Sequence, residues 1–149
     1  MKQVIIASMF ALAATTASAV EVGVTGGYDY AGNGRPTAGV TITERWGKVG
    51  LTAGFDRSTK GDNDQNRYSL VAGYDVLTLG QATVAVKAGG AYLDNQLGSD
   101  GYAAVVGVGA TYPLTKNIAA TADYAYQRGQ DRVSQYDGSR VTVGLRYKF

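Results

Sequence analysis

Apolar and polar residues alternate through most of the chain from about residue 20 onward. A period of two is typical of β-strands, in which successive side chains face opposite sides of the sheet. Most of the alternating segments have close to the 9 to 11 residues of a tilted strand that crosses a bilayer. The segments are 20–30, 37–46, 49–56, 68–76, 82–92, 102–112, 118–127 and a last one that ends at Phe149. The pattern predicts eight strands and an all-β fold.

The connections between these segments alternate in length. The longer, polar ones are 31–36, 58–67, 94–101 and 128–138. The short ones are 47–48, 77–80 and 113–117. Transmembrane barrels pair long outer loops with short periplasmic turns. The chain is therefore predicted to form an eight-stranded antiparallel up-and-down transmembrane β-barrel, with both ends of the barrel domain on the periplasmic side.

Aromatic residues occupy the same alternate positions of each segment as the aliphatic ones, which we call the same parity. They lie at the ends of the segments. Beside short turns lie Trp46, Tyr74, Tyr112, Tyr147 and Phe149. Beside long loops lie Tyr28, Tyr30, Phe55, Tyr68, Tyr92, Tyr102 and Tyr126. Amphipathic rings prefer the headgroup level of a membrane, so the two sets predict two aromatic girdles around a lipid-facing band. The alternative, an exported soluble sandwich or barrel, would expose this aromatic face to water.

The last strand carries a motif of four residues, Thr142, Gly144, Tyr147 and the final Phe149. It resembles the C-terminal assembly signal of bacterial outer-membrane β-barrels. With eight predicted strands, the chain resembles the small eight-stranded outer-membrane barrel family, which includes the OmpA-type transmembrane domain and its OmpX-like, porin-like relatives. The resemblance implies a monomer in the bacterial outer membrane, with lipid and lipopolysaccharide around it. It also implies that the barrel-assembly machinery binds the last strand.

The first 19 residues have a different pattern from the rest. A short basic start is followed by an apolar run over 4–14, too short to span a bilayer, and by the small residues Ala17-Ser18-Ala19. This order is typical of a cleaved export signal. We predict a signal peptide over 1–19 and a barrel over 20–149. The alternative, a buried N-terminal helix, would begin without a capping residue.

Composition narrows the chemistry that the chain can perform. Histidine and cysteine are both absent, which excludes Ser-His and Cys-His catalysis and metal sites built from imidazole or thiolate. Of the 14 Lys+Arg only Lys2 precedes residue 20, so the predicted barrel has 13 against 12 Asp+Glu, a net charge of +1. That balance does not favour a nucleic-acid partner. We expect no enzyme activity, no cofactor, no metal and no nucleic acid.

Charged residues on the inward parity are the candidate functional site. The predicted lumen charge network contains Glu21, Arg45, Asp75, Lys87, Asp123, Arg140, Arg146 and Lys148. Because unpaired charges are costly in a narrow interior, we expect oppositely charged pairs. Glu21 is expected to pair with Arg146 or Lys148 across the seam between the first and last strands, and Lys87 with Asp123 across the lumen.

Three functions are compatible with this sequence. A barrel with a mainly structural role in the envelope is favoured, because eight strands leave an interior that side chains just fill. The first alternative is a narrow porin-like channel for water, ions or small solutes, which the many inward glycines would leave room for. The second is an adhesin or host-factor binder that acts through its loops, for instance 130–136.

Overall fold

The computed structural model describes residues 19–30, 34–59, 64–95, 100–130 and 137–149. Residues 1–18 lie outside the described residues, so the predicted signal peptide is not tested. The tips of all four long connections, including most of 130–136, also lie outside them. Among the described residues, no helix is long and apolar enough to cross a membrane.

The chain folds into eight β-strands. Their bounds are β1 Ala19–Asp29, β2 Arg35–Trp46, β3 Val49–Ser58, β4 Gln65–Leu79, β5 Ala82–Asn95, β6 Gly101–Pro113, β7 Ile118–Gly129 and β8 Gly138–Lys148. Each strand pairs antiparallel with the next, and β8 pairs with β1 to close the barrel. The predicted eight-stranded up-and-down barrel is confirmed. We call the end with the long connections the loop end and the end with the short turns the turn end.

Closure leaves no strand of the barrel with a free edge. The β1–β2 register runs from Ala19 opposite Arg45 to Asp29 opposite Arg35. The β1–β8 register runs from Glu21 opposite Lys148 to Asp29 opposite Arg140. Every backbone group along these ladders therefore has a partner on a neighbouring strand, which is the condition for β-structure inside a bilayer.

The barrel is apolar outside and polar inside. Outward residues such as Val24, Val106 and Val143 are 59%, 55% and 58% exposed. Inward residues include Thr43 and Gln127, each only 2% exposed. Burial of polar rather than apolar side chains is the reverse of a soluble barrel, and it agrees with strands whose outer face contacts lipid.

Several strands are longer than their sequence pattern predicted. The structure extends β2, β3, β4 and β5 into the predicted loops, so that Arg35, Ser58, Gln65 and Asp94 belong to strands. These polar residues continue the period of two but carry no apolar signal of their own, which is why the pattern stopped short of them.

The predicted turn over 77–80 is wrong at its first three residues. β4 continues to Leu79, the turn is formed by Gly80 and Gln81, and a register shift lies between Asp75 and Leu77. Gly80 has a φ of 61°, and Gly47 in the β2–β3 turn has a φ of 60°. A positive φ is easily adopted only by glycine, so these residues set the positions of the two tight turns.

Candidate functional site

Three charged side chains near the loop end, Asp56, Arg67 and Arg140, meet inside the barrel, and we call them the outer cluster. A guanidinium nitrogen of Arg140 lies 2.7 Å from Oδ1 of Asp56, and one of Arg67 lies 3.5 Å from its Oδ2. Arg140 also donates to Oγ1 of Thr37 at 3.2 Å. All three charged residues are at most 8% exposed. One carboxylate on β3 thus joins arginines on β4 and β8 across the interior.

Uncharged side chains fill the space around the outer cluster. The buried ones near the loop end are Thr37, Ser58, Gln65, Leu93, Asn95 and Gln127. Leu93 is fully buried at 0% exposure, and Asp29 is also buried. Because the uncharged residues come from β2 to β5 and β7, and Asp29 from β1, they converge from most of the circumference. Together with the outer cluster they narrow the interior near the loop end.

Two ion pairs farther from the loop end cross over an intervening strand. Lys87 on β5 pairs with Asp123 on β7, and a guanidinium nitrogen of Arg45 on β2 contacts both carboxylate oxygens of Asp75 on β4, at 2.7 and 2.8 Å. The strand between β5 and β7 has Gly109 at this point, where a Cβ would overlap both Asp123 Oδ1 and the Lys87 ammonium. The absence of a side chain at Gly109 therefore makes room for the pair.

A third pair lies at the seam where the barrel closes. Arg146 on β8 lies 3.6 Å from Glu21 on β1. The register puts Lys148 opposite Glu21, but the Lys148 side chain is exposed and its carbonyl accepts from Nδ2 of Asn117 at 2.9 Å. Of the two partners predicted for Glu21, the structure brings Arg146 to it.

A cavity of about 120 Å³ lies inside the barrel between these groups. The charged residues in its lining are Arg45, Arg67, Lys87, Arg140 and Arg146 with Asp56, Asp75 and Asp123. At about 30 Å³ of liquid volume per molecule, it corresponds to a few waters. The lining residues Thr41, Arg67, Arg140 and Arg146 each have a buried polar side-chain atom with no hydrogen-bond partner among the described residues. A polar space large enough for a few waters is thus present beside the outer cluster.

Sequence reasoning located most of these charges but missed Arg67, which was predicted to lie in a loop. In the structure Arg67 is opposite Asp56 in the β3–β4 register. Arg67 has the same parity as the inward Ser69, so extending the period of two backward from Ser69 would have found it. Arg140 belongs to the predicted lumen charge network, and the structure places it beside Asp56.

The predicted assembly motif is split between the two faces of β8. Thr142 is buried inward, whereas Tyr147 and Phe149 are 46% and 76% exposed on the outer face. Their rings meet edge to face with centroids 5.0 Å apart. Gly144 lies opposite Thr25 across the β1–β8 seam, and a Cβ there would overlap the backbone oxygen of Val24.

The predicted girdle residues form close ring pairs near the loop end. The pairs Tyr28–Tyr30, Phe55–Tyr68 and Tyr92–Tyr102 have centroids 5.1, 5.2 and 5.2 Å apart. Two further girdle residues on the outer face, Tyr112 near the turn end and Tyr126 near the loop end, are 49% and 43% exposed. Trp46 and Tyr74 near the turn end are also exposed. This distribution matches two bands of rings at the two ends of the outer face.

No group of three or more His, Cys, Asp or Glu residues that could hold a metal ion occurs in the part of the chain that the structure describes. Four interior carboxylates, those of Glu21, Asp56, Asp75 and Asp123, are paired with arginine or lysine.

The apolar outer face, the polar interior and the two bands of rings define an outer-membrane β-barrel. A family model for Gram-negative porins matches residues 6–132, and the chain belongs to that family. No curated protein sequence matches the chain.

Solved structures of other barrels superpose on this one. Neisserial surface protein A has a TM-score of 0.65 at 16% identity, covering 90% of this chain and 98% of its own. A major outer membrane protein from Thermus thermophilus has a TM-score of 0.65 at 15% identity, covering 90% and 100%. Ail, the attachment invasion locus protein of Yersinia pestis, has a TM-score of 0.57 at 15% identity, covering 89% and 97%. At these identities the likeness shows the fold alone.

Proposed function

We propose that this protein is a non-enzymatic, structural barrel of the outer membrane whose interior is plugged. The observation that carries the proposal is the outer cluster, in which Asp56 is bound to both Arg67 and Arg140. Buried ion pairs with good geometry are costly to break, because the partner left behind is a desolvated charge. An open path through the loop end would require breaking them.

Electrical recording of the purified, refolded protein in planar bilayers tests the plug. We expect no discrete conductance steps from the wild type. An Asp123→Ala variant is also expected to be silent, because it removes a pair below the outer cluster and leaves the cluster intact. Cold and boiled gel mobility would show that each sample is folded. Discrete steps from the folded wild type would contradict a plugged barrel.

The cavity supports a second candidate, a narrow path for water. Its polar lining and its volume suit water molecules, and the outer cluster forms part of its lining. If this function is right, wild-type vesicles will shrink faster than empty vesicles in stopped-flow osmotic measurements. Arg67→Ala would then increase the rate further. Arg57→Ala is the matched control, since Arg57 is exposed on the outside and pairs with Asp64.

We further propose that the protein is exported by a signal peptide over 1–19, inserted as a monomer by the assembly machinery through β8, and surrounded by lipid and lipopolysaccharide. The exposed Tyr147 and Phe149 support recognition of β8. A role as an adhesin is supported by no described residue. Such a role would depend on the loop tips. In its favour, a solved complex of Ail, a barrel of similar fold, contains a heparin analogue, sucrose octasulfate.

A further inference from the structure

The β4–β5 hairpin differs chemically from the other two connections at the turn end. Residues 76–86, which include its turn, contain no charged side chain. The β2–β3 turn contains Lys48, and the β6–β7 turn contains Lys116. Positive charges beside a turn are expected where the turn lies in water or among headgroups. The β4–β5 hairpin lacks that feature.

The register shift in β4 changes which residues face outward at this hairpin. Asp75 is opposite Ala85 and Leu77 is opposite Val84, so Val76 has no residue opposite it in β5. Without this bulge Leu77 would share the inward parity of Asp75. With it, Leu77 and Leu79 lie opposite Val84 and Ala82, which share the parity of the outward Val86.

The result is an exposed apolar surface below the turn-end ring of Tyr74. We call Val76, Leu77 and Leu79, which are 52%, 50% and 61% exposed, the hairpin patch. On the outer face the hairpin patch adjoins Tyr74 and Val86, which are 50% and 45% exposed. The patch is therefore continuous with the lipid-facing band.

We infer that the hairpin patch is buried in the periplasmic leaflet, so that Leu77 and Leu79 contact lipid acyl chains. Apolar side chains left in periplasmic water would be unfavourable, whereas extension of the band over an uncharged hairpin buries them. The lipid-facing band is thus deeper on the β4–β5 side of the barrel than beside Lys48 and Lys116. The inference rests on the proposed outer-membrane location. Tryptophan quenching distinguishes a failure of the inference from a failure of that location.

Quenching of tryptophan fluorescence by brominated lipid measures how deep a side chain lies in the bilayer. In a Trp46→Phe background, single tryptophans are placed at Leu79, at Leu114 and at Val108, and each protein is refolded into phosphatidylcholine vesicles brominated along the acyl chain. Leu114 is the matched control, because it is 54% exposed at a turn of the same barrel end but lies two residues from Lys116. Val108 lies on the outer face within the band. Cold and boiled gel mobility selects the folded samples.

We expect quenching of Leu79→Trp to approach that of Val108→Trp and to exceed that of Leu114→Trp by about twofold. Equal, weak quenching at positions 79 and 114 with strong quenching at 108 would overturn the hairpin inference alone. Weak quenching at all three would overturn the membrane location and the inference with it.

Single cysteines provide a second measurement, since the chain has none of its own. A water-soluble maleimide is expected to label Leu114→Cys faster than Leu79→Cys in vesicles. A disulfide-linked dimer through Leu79→Cys would overturn the inference, because it would show that a second copy of the chain covers the patch.

Discussion

Asp56 contacts three side chains of the interior. Its two oxygens contact Arg140 and Arg67, and Oγ1 of Thr25 lies 3.5 Å from its Oδ1. The two arginines are buried and repel each other, so the carboxylate between them offsets a like-charge contact as well as forming pairs. The outer cluster therefore depends on Asp56 more than on either arginine.

Asp56→Ala is expected to lower the free energy of unfolding by about 3 kcal/mol or more, because two desolvated guanidinium groups lose the carboxylate that they share. The measurement is the urea midpoint of the refolded barrel in vesicles, followed by Trp46 fluorescence. Asp64→Ala is the matched control, since it removes an exposed pair with Arg57, and its effect should stay below about 1 kcal/mol. Equal effects of the two variants would show that Asp56 does not stabilise the barrel through the buried pairs.

From the sequence, each charged residue could be assigned only to the inward or the outward face of its strand, by its parity. Parity puts Arg45, Asp75, Lys87 and Asp123 inside, but it does not say which strands face each other across the lumen. Arg45 meets Asp75 because the curvature of the barrel brings β2 and β4 together over β3. That distance depends on the closed three-dimensional shape, so it could not be obtained from the pattern of a single strand.

At the β1–β8 pair, two neighbouring glycines of β1 differ in how closely other strands approach them. Gly27 on β1 faces inward, and a Cβ there would overlap the Val141 carbonyl and approach Cα of Thr142 to 2.8 Å. Its neighbour Gly26 faces outward, where the nearest atom to a Cβ would be the Thr37 carbonyl at 3.9 Å. Gly27 is thus sterically crowded and Gly26 is not, although the two are adjacent on the same strand.

Gly27→Ala is expected to destabilise the barrel by about 1–3 kcal/mol, because the added methyl group pushes β8 away from β1. Gly26→Ala is expected to be neutral or stabilising by about 0.5 kcal/mol, since alanine restricts the unfolded chain. Urea unfolding of the two variants side by side gives both values. A larger loss in Gly26→Ala than in Gly27→Ala would show that the inward and outward assignments of β1 are reversed.

Strand number and order were predictable because the period of two continues with little interruption through each element. Strand lengths were less predictable. The bulge at Val76 changes the parity within β4, and a rule based on strict alternation ends the strand there. Residues such as Gln65 and Asn95 extend strands through backbone pairing and interior contacts, neither of which has a signature in the local sequence.

For the molecule as a whole, closure predicts resistance to detergent. The folded protein in cold SDS is expected to migrate differently from the boiled protein, because the closed barrel has no free strand edge at which unfolding can begin. A variant that lacks 138–149, and so lacks β8, cannot close and should migrate identically before and after boiling. Identical mobility of the full chain under both conditions would contradict a closed barrel.

Closure through β1 and β8 also determines the order in which the barrel can be completed. Glu21 and Lys148, which face each other across the seam, lie at nearly opposite ends of the sequence. Contacts between such distant residues form slowly, since a long stretch of chain must be ordered first. Until β8 is in place, β1 and β7 each have one unpaired edge that can bind another strand. The open edges of β1 and β7 in a nascent or truncated chain are therefore the places where misassembly would begin.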